Sequence, residues 1–186
     1  FANSHVFYPE DSWHAFLRKV RGLPNALIRD EILLSEILEA AGYTTAMVGK
    51  WHLGDRDGHL PNDFGFNHFY GVRYSNDMAP FELYRNDQVI TPAEEVNQEN
   101  LTKFYADEAS RVIKEYAKTL KTKEQQPFFL YLPHTFPHQP HFADPAYAGK
   151  SGGGLYGDVI EDLDRAVGQV IDTLEEYGLR ENTLVI

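Results

Sequence analysis

Apolar positions along this chain fall into helical stripes that alternate with short continuous runs. Leu34, Ile37, Leu38 and Ala41 repeat at helical spacing, with Asp30 placed to cap the start and Gly42 to close the end. Tyr105, Ala109, Val112, Ile113, Tyr116 and Leu120 make one face of a helix over 101–120, with Asn100 as its candidate cap. Leu155, Val159, Leu163, Val167, Val170, Leu174 and Tyr177 form the longest stripe, which Gly178 ends. A shorter helix over 13–20 starts behind Asp11 or Ser12. Between the stripes, 44–48 reads as a β-branched strand, 127–132 as a strand buried on both faces, and 184–186 as the start of another. Helix, glycine, strand, then turn is the rhythm of a parallel α/β layer. The pattern predicts an α/β fold, a mostly parallel sheet with helices on both faces, and it contains no internal repeat or domain boundary.

Two stretches lack this periodicity. Residues 55–100 are punctuated by Gly, Pro, Asn and Asp and hold only short extended pieces at 81–84 and 88–90. A connection this long in a compact domain is commonly functional, so it is expected to shape a pocket. The second stretch is Pro133-His134-Thr135-Phe136-Pro137-His138-Gln139-Pro140-His141, in which three prolines forbid a helix. It leaves the 127–132 strand at its carboxyl end, where open α/β sheets place their ligands. The turn Gly49-Lys50-Trp51-His52 leaves the 44–48 strand at the same end.

Composition narrows the partners. The chain has 186 residues, enough for one domain with a sizeable core. A formal net charge of −11 argues against a nucleic-acid partner, although local Lys and His can reverse the field in a cleft. There is no cysteine, which excludes disulfides and thiolate metal sites. No apolar run has the length needed to cross a bilayer. The chain begins at Phe1 and finishes in the apolar 184–186, so both ends read as cuts and residues 1–186 as part of a single domain.

Lys50 is a fixed positive charge suited to an oxyanion, and histidines such as His52 and His138 can donate a hydrogen bond or move a proton near neutral pH. If the two strand ends are neighbours, Lys50, His52, His134 and His138 form a donor cluster able to stabilise charge that develops on a tetrahedral anion. Residue types alone leave other readings open. The lysine turn could be an ordinary surface turn, and the histidines could be loop residues bonded to backbone. His134, His138 and His141 could hold a metal, although the prolines remove the helix that this spacing would suit and no His-Glu-x-x-His accompanies them. Asp55, Asp57 and Asp63 read as loop caps.

The run Gly42-Tyr43-Thr44-Thr45-Ala46-Met47-Val48-Gly49-Lys50-Trp51-His52-Leu53-Gly54 resembles the second signature of the sulfatase family. The resemblance extends from about Gly22 to Ile186. It includes Gly22-Leu23-Pro24 with Leu34-Ser35-Glu36-Ile37-Leu38, the loop from Asp63-Phe64-Gly65-Phe66 through Gly71-Val72-Arg73-Tyr74-Ser75-Asn76-Asp77, the 127–132 strand with Pro137-His138-Gln139-Pro140, and Tyr156-Gly157 onward. It implies a type I, arylsulfatase-like sulfuric ester hydrolase of the alkaline-phosphatase-like superfold, here as the interior of an incomplete catalytic domain.

By that resemblance Lys50 and His138 contact the substrate sulfate, and one of them protonates the leaving oxygen. His52 hydrogen-bonds the catalytic aldehyde hydrate, and Ser75 matches a serine that reaches the sulfate in some members. The family also implies calcium and a formylglycine made from Cys or Ser in Cys/Ser-x-Pro-x-Arg. No such motif occurs in this sequence. The calcium ligands of the family would fall upstream of Phe1 and beyond Ile186, so no metal ligand is assigned. The expectation is the sulfate-binding side of a site without nucleophile or metal, and no turnover by this polypeptide alone. The implied partner is a sulfate-ester small molecule or a sulfated glycan, and family habit implies a secreted, periplasmic or lysosomal location. Two alternatives remain: a phosphoryl-transfer hydrolase of the same superfold, and a non-catalytic pseudoenzyme that binds sulfated glycans.

Overall fold

The computed structural model describes residues 7–21, 25–120 and 126–186. Gly22-Leu23-Pro24, one part of the resemblance, lies outside them. Among the described residues, five strands form one sheet in the order β4-β3-β2-β1-β5. They are β1 Thr44–Lys50, β2 His68–Val72, β3 Leu83–Arg85, β4 Gln88–Thr91 and β5 Phe128–Tyr131. β1 runs parallel to both β2 and β5, which makes the centre of the sheet parallel. β3 and β4 form an antiparallel hairpin on the β2 side. Its two-residue turn is Asn86-Asp87, and Asn86 takes the positive φ, 53°, that suits a tight hairpin turn. The extended pieces expected inside 55–100 are therefore strands of the sheet, and the same stretch also holds β2, which its weak periodicity did not announce.

Side-chain alternation along β1 and β2 divides the core. Met47 and Phe69 face a cluster with Trp51, Phe64 and Phe66. Val48, Tyr70 and Val72 face the opposite side, against Leu101, Tyr105 and Val159. The helices are α1 Trp13–Val20, α2 Leu34–Ala40, α3 Leu101–Thr119 and α4 Gly154–Glu176. α3 packs on the Val48 face with α4 against it, and α2 packs by the Met47 face, where Ser35 donates its hydroxyl to the Phe64 carbonyl at 2.5 Å. This is the expected α/β sheet with helices on both faces.

Local signals held at some ends and failed at others. Ser12 caps α1 by accepting from the Ala15 N–H at 3.1 Å. Gly42 and Tyr43 donate to the Glu39 and Leu38 carbonyls and close α2. Asp30 does not open that helix: it starts after Leu33, whose N–H donates to the Glu36 carboxylate at 2.9 Å. Asn100 makes no side-chain cap on α3, because a turn of 3₁₀ helix runs directly into it. The 127–132 run is half-buried rather than buried on both faces, since β5 is the outermost strand of the described sheet. Residues 184–186 pair with no strand among the described residues and are exposed. The α4 stripe also drifts. Val159, Ala166 and Leu174 are buried, whereas Leu155, Val167 and Tyr177 are exposed, because successive steps of four residues precess around a helix of 3.6 residues per turn.

Candidate active site

The site is assembled by glycines. Gly49, the residue before the last of β1, has φ 135°, and a Cβ there would meet the Pro133 carbonyl oxygen at 2.0 Å. The Lys50 N–H donates to that same oxygen at 2.8 Å. Gly71 is the register partner of Gly49 on β2, and a Cβ on it would meet the Gly49 oxygen at 1.8 Å. Three backbone segments thus close together only because two positions carry no side chain. Trp51 then anchors the turn. It is buried, and its indole N–H donates to the His59 carbonyl at 2.9 Å. Lys50 and His52, on either side of the buried tryptophan, are left half-buried at the carboxyl edge of the sheet.

His52 adopts φ 64°, a left-handed conformation uncommon for a residue with a Cβ and a form of strain found at functional sites. Its ring stands edge-on to Tyr74 at 5.7 Å. Burial, and then the neighbouring Lys50 charge, lower its pKa, so it is neutral at neutral pH. Its Nε2 is buried without a hydrogen-bond partner among the described residues. Burial also lowers the pKa of Lys50, and the Asp77 carboxylate opposes that shift.

His138 is exposed, and its tautomer follows from its contacts. Nδ1 lies 2.6 Å from the Gln139 carbonyl, which can only accept, so Nδ1 carries a proton and Nε2 is the nitrogen left for a ligand. Ser75, itself buried, places Oγ 3.5 Å from the same Nδ1. His52 feels the charges of Lys50, Asp77 and His138, so these groups occupy one electrostatic neighbourhood. The structure therefore brings Lys50, His52, Ser75 and His138 together.

Two neighbours of Ser75 complete the arrangement. Asn76 is buried, and its Nδ2 donates to the Pro140 carbonyl at 2.8 Å, tying the 75–77 turn to the histidine segment. Asp77 is exposed beside Lys50 and supplies the local counter-charge. Residue type alone did not single out either one, and their place directly after Ser75 was the available signal. His134 does not join the site. Its ring is turned inward, 6.0 Å from Tyr105, and burial pushes its pKa down to about 4. His141 donates from Nε2 to the Pro137 carbonyl at 3.1 Å. Asp55 and Asp63 accept from the N–H groups of Glu10 and Leu60, as loop caps do. Among the described residues no three His, Asp or Glu side chains converge where a cation could sit. His134, His138 and His141 therefore do not come together as a tri-histidine set.

A parallel α/β centre carries a lysine and two imidazoles at the carboxyl edge of its strands. The chain belongs to the sulfatase family, whose model, described as Sulfatase, matches residues 7–186. It is 34% identical over 178 residues to N-acetylgalactosamine-6-sulfatase of Rattus norvegicus, covering 88% of this chain and 32% of that protein. It is also 34% identical over 175 residues to arylsulfatase A of Bos taurus, covering 84% and 34%. The chain thus spans about a third of the length of these relatives. A structure described under the metabolism of multiple glycosaminoglycans by Bacteroides thetaiotaomicron superposes with a TM-score of 0.77 at 22% identity, covering 98% of this chain and 47% of that one, and bears on the fold. Among the described residues no helix is long and apolar enough to cross a membrane.

Proposed function

We propose that residues 1–186 form part of a single sulfatase catalytic domain and supply the side of its active site that holds the sulfate. The whole protein would hydrolyse a sulfate ester, on a small molecule or a glycan, to alcohol and sulfate. The observation that carries this reading is the convergence of Lys50, His52, Ser75 and His138 on one sheet edge, in a chain of the sulfatase family.

The roles follow from the local chemistry. Lys50 offsets charge on the sulfuryl oxygens. His138, when protonated, donates from Nε2, either to a sulfuryl oxygen or to the leaving oxygen, while Gln139 holds the ring from the other side. His52 is neutral at neutral pH and so accepts a proton rather than supplying one. Ser75 sets its Oγ 3.5 Å from His138 Nδ1 and helps orient that ring, while its contact with the sulfate is what the family resemblance implies. Family members use a formylglycine and calcium. These residues contain no Cys/Ser-x-Pro-x-Arg motif, and no nucleophile is assigned among them. By itself, then, this polypeptide binds sulfate without turning over its ester.

Titration of the chain with inorganic sulfate tests the reading. Binding is expected to weaken at least about tenfold in Lys50→Ala and in His138→Ala, the loss expected for one charge-assisted hydrogen bond. In the full-length gene product, hydrolysis of a chromogenic aryl sulfate is expected to disappear with Lys50→Ala. Sulfate affinity that is the same in the wild type and Lys50→Ala would refute the assignment.

A further inference from the structure

Behind the anion corner lies a set of polar groups that the sulfate reading leaves unused. Arg73 and Tyr74, the two residues after β2, hold His52 twice. The Arg73 carbonyl accepts from the His52 N–H at 2.8 Å, and the Tyr74 ring stands edge-on to the imidazole, with 77° between the planes. The loop that follows His52 is tied back to the same two residues. The Arg73 guanidinium, 3.9 Å over the Tyr84 ring, donates to the Asp55 carbonyl at 3.1 Å. The Asp55 carboxylate accepts from the Glu10 N–H through Oδ2. Its other oxygen, Oδ1, is buried without a hydrogen-bond partner among the described residues, and so is the Tyr74 hydroxyl. The two groups share one neighbourhood, since burial and then the Asp55 charge push the Tyr74 pKa up. A tyrosine only 4% exposed ordinarily gives its hydroxyl a partner, and the Asp55 carboxylate is the acceptor at hand.

The His52 ring has a defined tautomer. Against burial, a hydrogen bond with the Phe7 backbone raises its pKa, so the Phe7 carbonyl is the acceptor. Nε2 is the nitrogen without a partner, which makes Nδ1 the donor and leaves the Nε2 lone pair available. Lys50, Asp77 and His138 are the side chains whose charges act on this ring.

We propose that Tyr74 is a positioning residue for His52, and that Asp55 in turn holds Tyr74. Tyr74 acts through the imidazole, fixing the ring so that Nε2 stays the unprotonated nitrogen. His52 needs such support because a residue with a Cβ rarely adopts its φ of 64°. The inference rests on the sulfate-site reading of Lys50, His52 and His138 and adds the residues that orient one of its groups.

The test reads His52 directly, by nitrogen NMR of its ring in the full chain. In the wild type Nδ1 carries the proton. Tyr74→Leu is expected to mix the two tautomers and to move the His52 pKa back toward 6.5. Tyr74→Phe and Asp55→Asn each remove the hydroxyl–carboxylate contact. They should perturb the ring equally, less than Tyr74→Leu, and no further when combined. These two variants decide the matter if Tyr74→Leu does not fold. In the full-length gene product, the acidic limb of kcat/KM for a chromogenic aryl sulfate should move to higher pH in Tyr74→Leu, whereas a loss of folded protein would only scale the profile. A His52 tautomer and titration that are the same in the wild type and every variant overturn the positioning role alone. Equal but additive effects of Tyr74→Phe and Asp55→Asn overturn the link to Asp55. Absence of Lys50-dependent sulfate binding in the wild type overturns the underlying reading instead.

Discussion

The carbonyl oxygen of Pro133 occupies the space where a side chain at Gly49 would begin, 2.0 Å from the position of a Cβ. The neighbouring N–H, that of Lys50, donates to this same oxygen. The contact locks the end of β1 to the segment that carries His138, and so couples the fold to the site. Gly49→Ala would force backbone against backbone, at a cost of about 3 kcal/mol or more. Gly168, in the interior of α4, has open space around its Cα and ordinary helical backbone. Gly168→Ala is expected to stabilise by up to about 1 kcal/mol. Thermal unfolding of the two variants should move in opposite directions.

Asn76 positions the histidine segment through a single donated hydrogen bond to Pro140. Asn76→Ala would leave a carbonyl without its donor and cost about 1–3 kcal/mol. Sulfate affinity should fall as well, because the loop that presents His138 loses its tether. Chemical denaturation together with sulfate titration separates the two effects. An unchanged sulfate affinity in a folded variant would show that Asn76 serves stability alone.

Glu108 joins β2, β3 and α3. Its buried carboxylate accepts from His68 at 2.8 Å, Arg85 at 2.9 Å and Arg111 at 2.6 Å. Burial by itself would raise its pKa, but the hydrogen bonds from His68 and Arg111 outweigh burial and hold it well below the usual carboxylate range. A depressed carboxylate stabilises the fold above its unfolded pKa, near 4.5, and the contribution is lost as pH falls further. Glu108→Gln should therefore cost about 1–3 kcal/mol at neutral pH. Its stability should also fall less steeply than that of the wild type below about pH 4.5. Urea denaturation across that range measures both.

His134 has the opposite charge logic. Its ring nitrogens are buried without partners among the described residues, and its pKa is lowered from 6.5 to about 4. Between those values the unfolded chain binds a proton that the folded chain does not, so stability rises with pH and is lost on acidification from about 6.5 towards 4. The full contribution is at most about 3 kcal/mol. His134→Phe keeps a ring beside Tyr105 and removes the titration. It should flatten the pH dependence in that window without weakening sulfate binding at pH 7.

Much of this was legible from local pattern. The periods of α3 and α4, the Ser12 cap and the glycine closures at Gly42 and Gly178 are decided within a turn or two of the chain, so sequence spacing carries them. The Gly49-Lys50-Trp51-His52 turn was legible for the same reason, since strand, glycine and turn are contiguous. What could not be read locally was where partners distant in the chain would meet. Asn100 lost its capping role to the turn before it. The weak extended pieces at 81–84 and 88–90 became a hairpin because β2 offered them an edge.

The site shows the same division. Residue types alone marked Lys50, His52, His134 and His138 as equivalent candidates at two strand ends. Packing separated them, because the sheet and α3 turned His134 inward against Tyr105 while His138 stayed exposed beside Ser75, 63 residues away in sequence. Asp77 came within electrostatic reach of Lys50 and His52 only through the docking of the 75–77 turn. The sequence by itself determined the helices, the central strand and the chemical groups available. The tertiary structure decided which of those groups share a pocket and which nitrogen of His138 is left for a ligand, because burial and hydrogen-bond partners are set by contacts that no local period encodes.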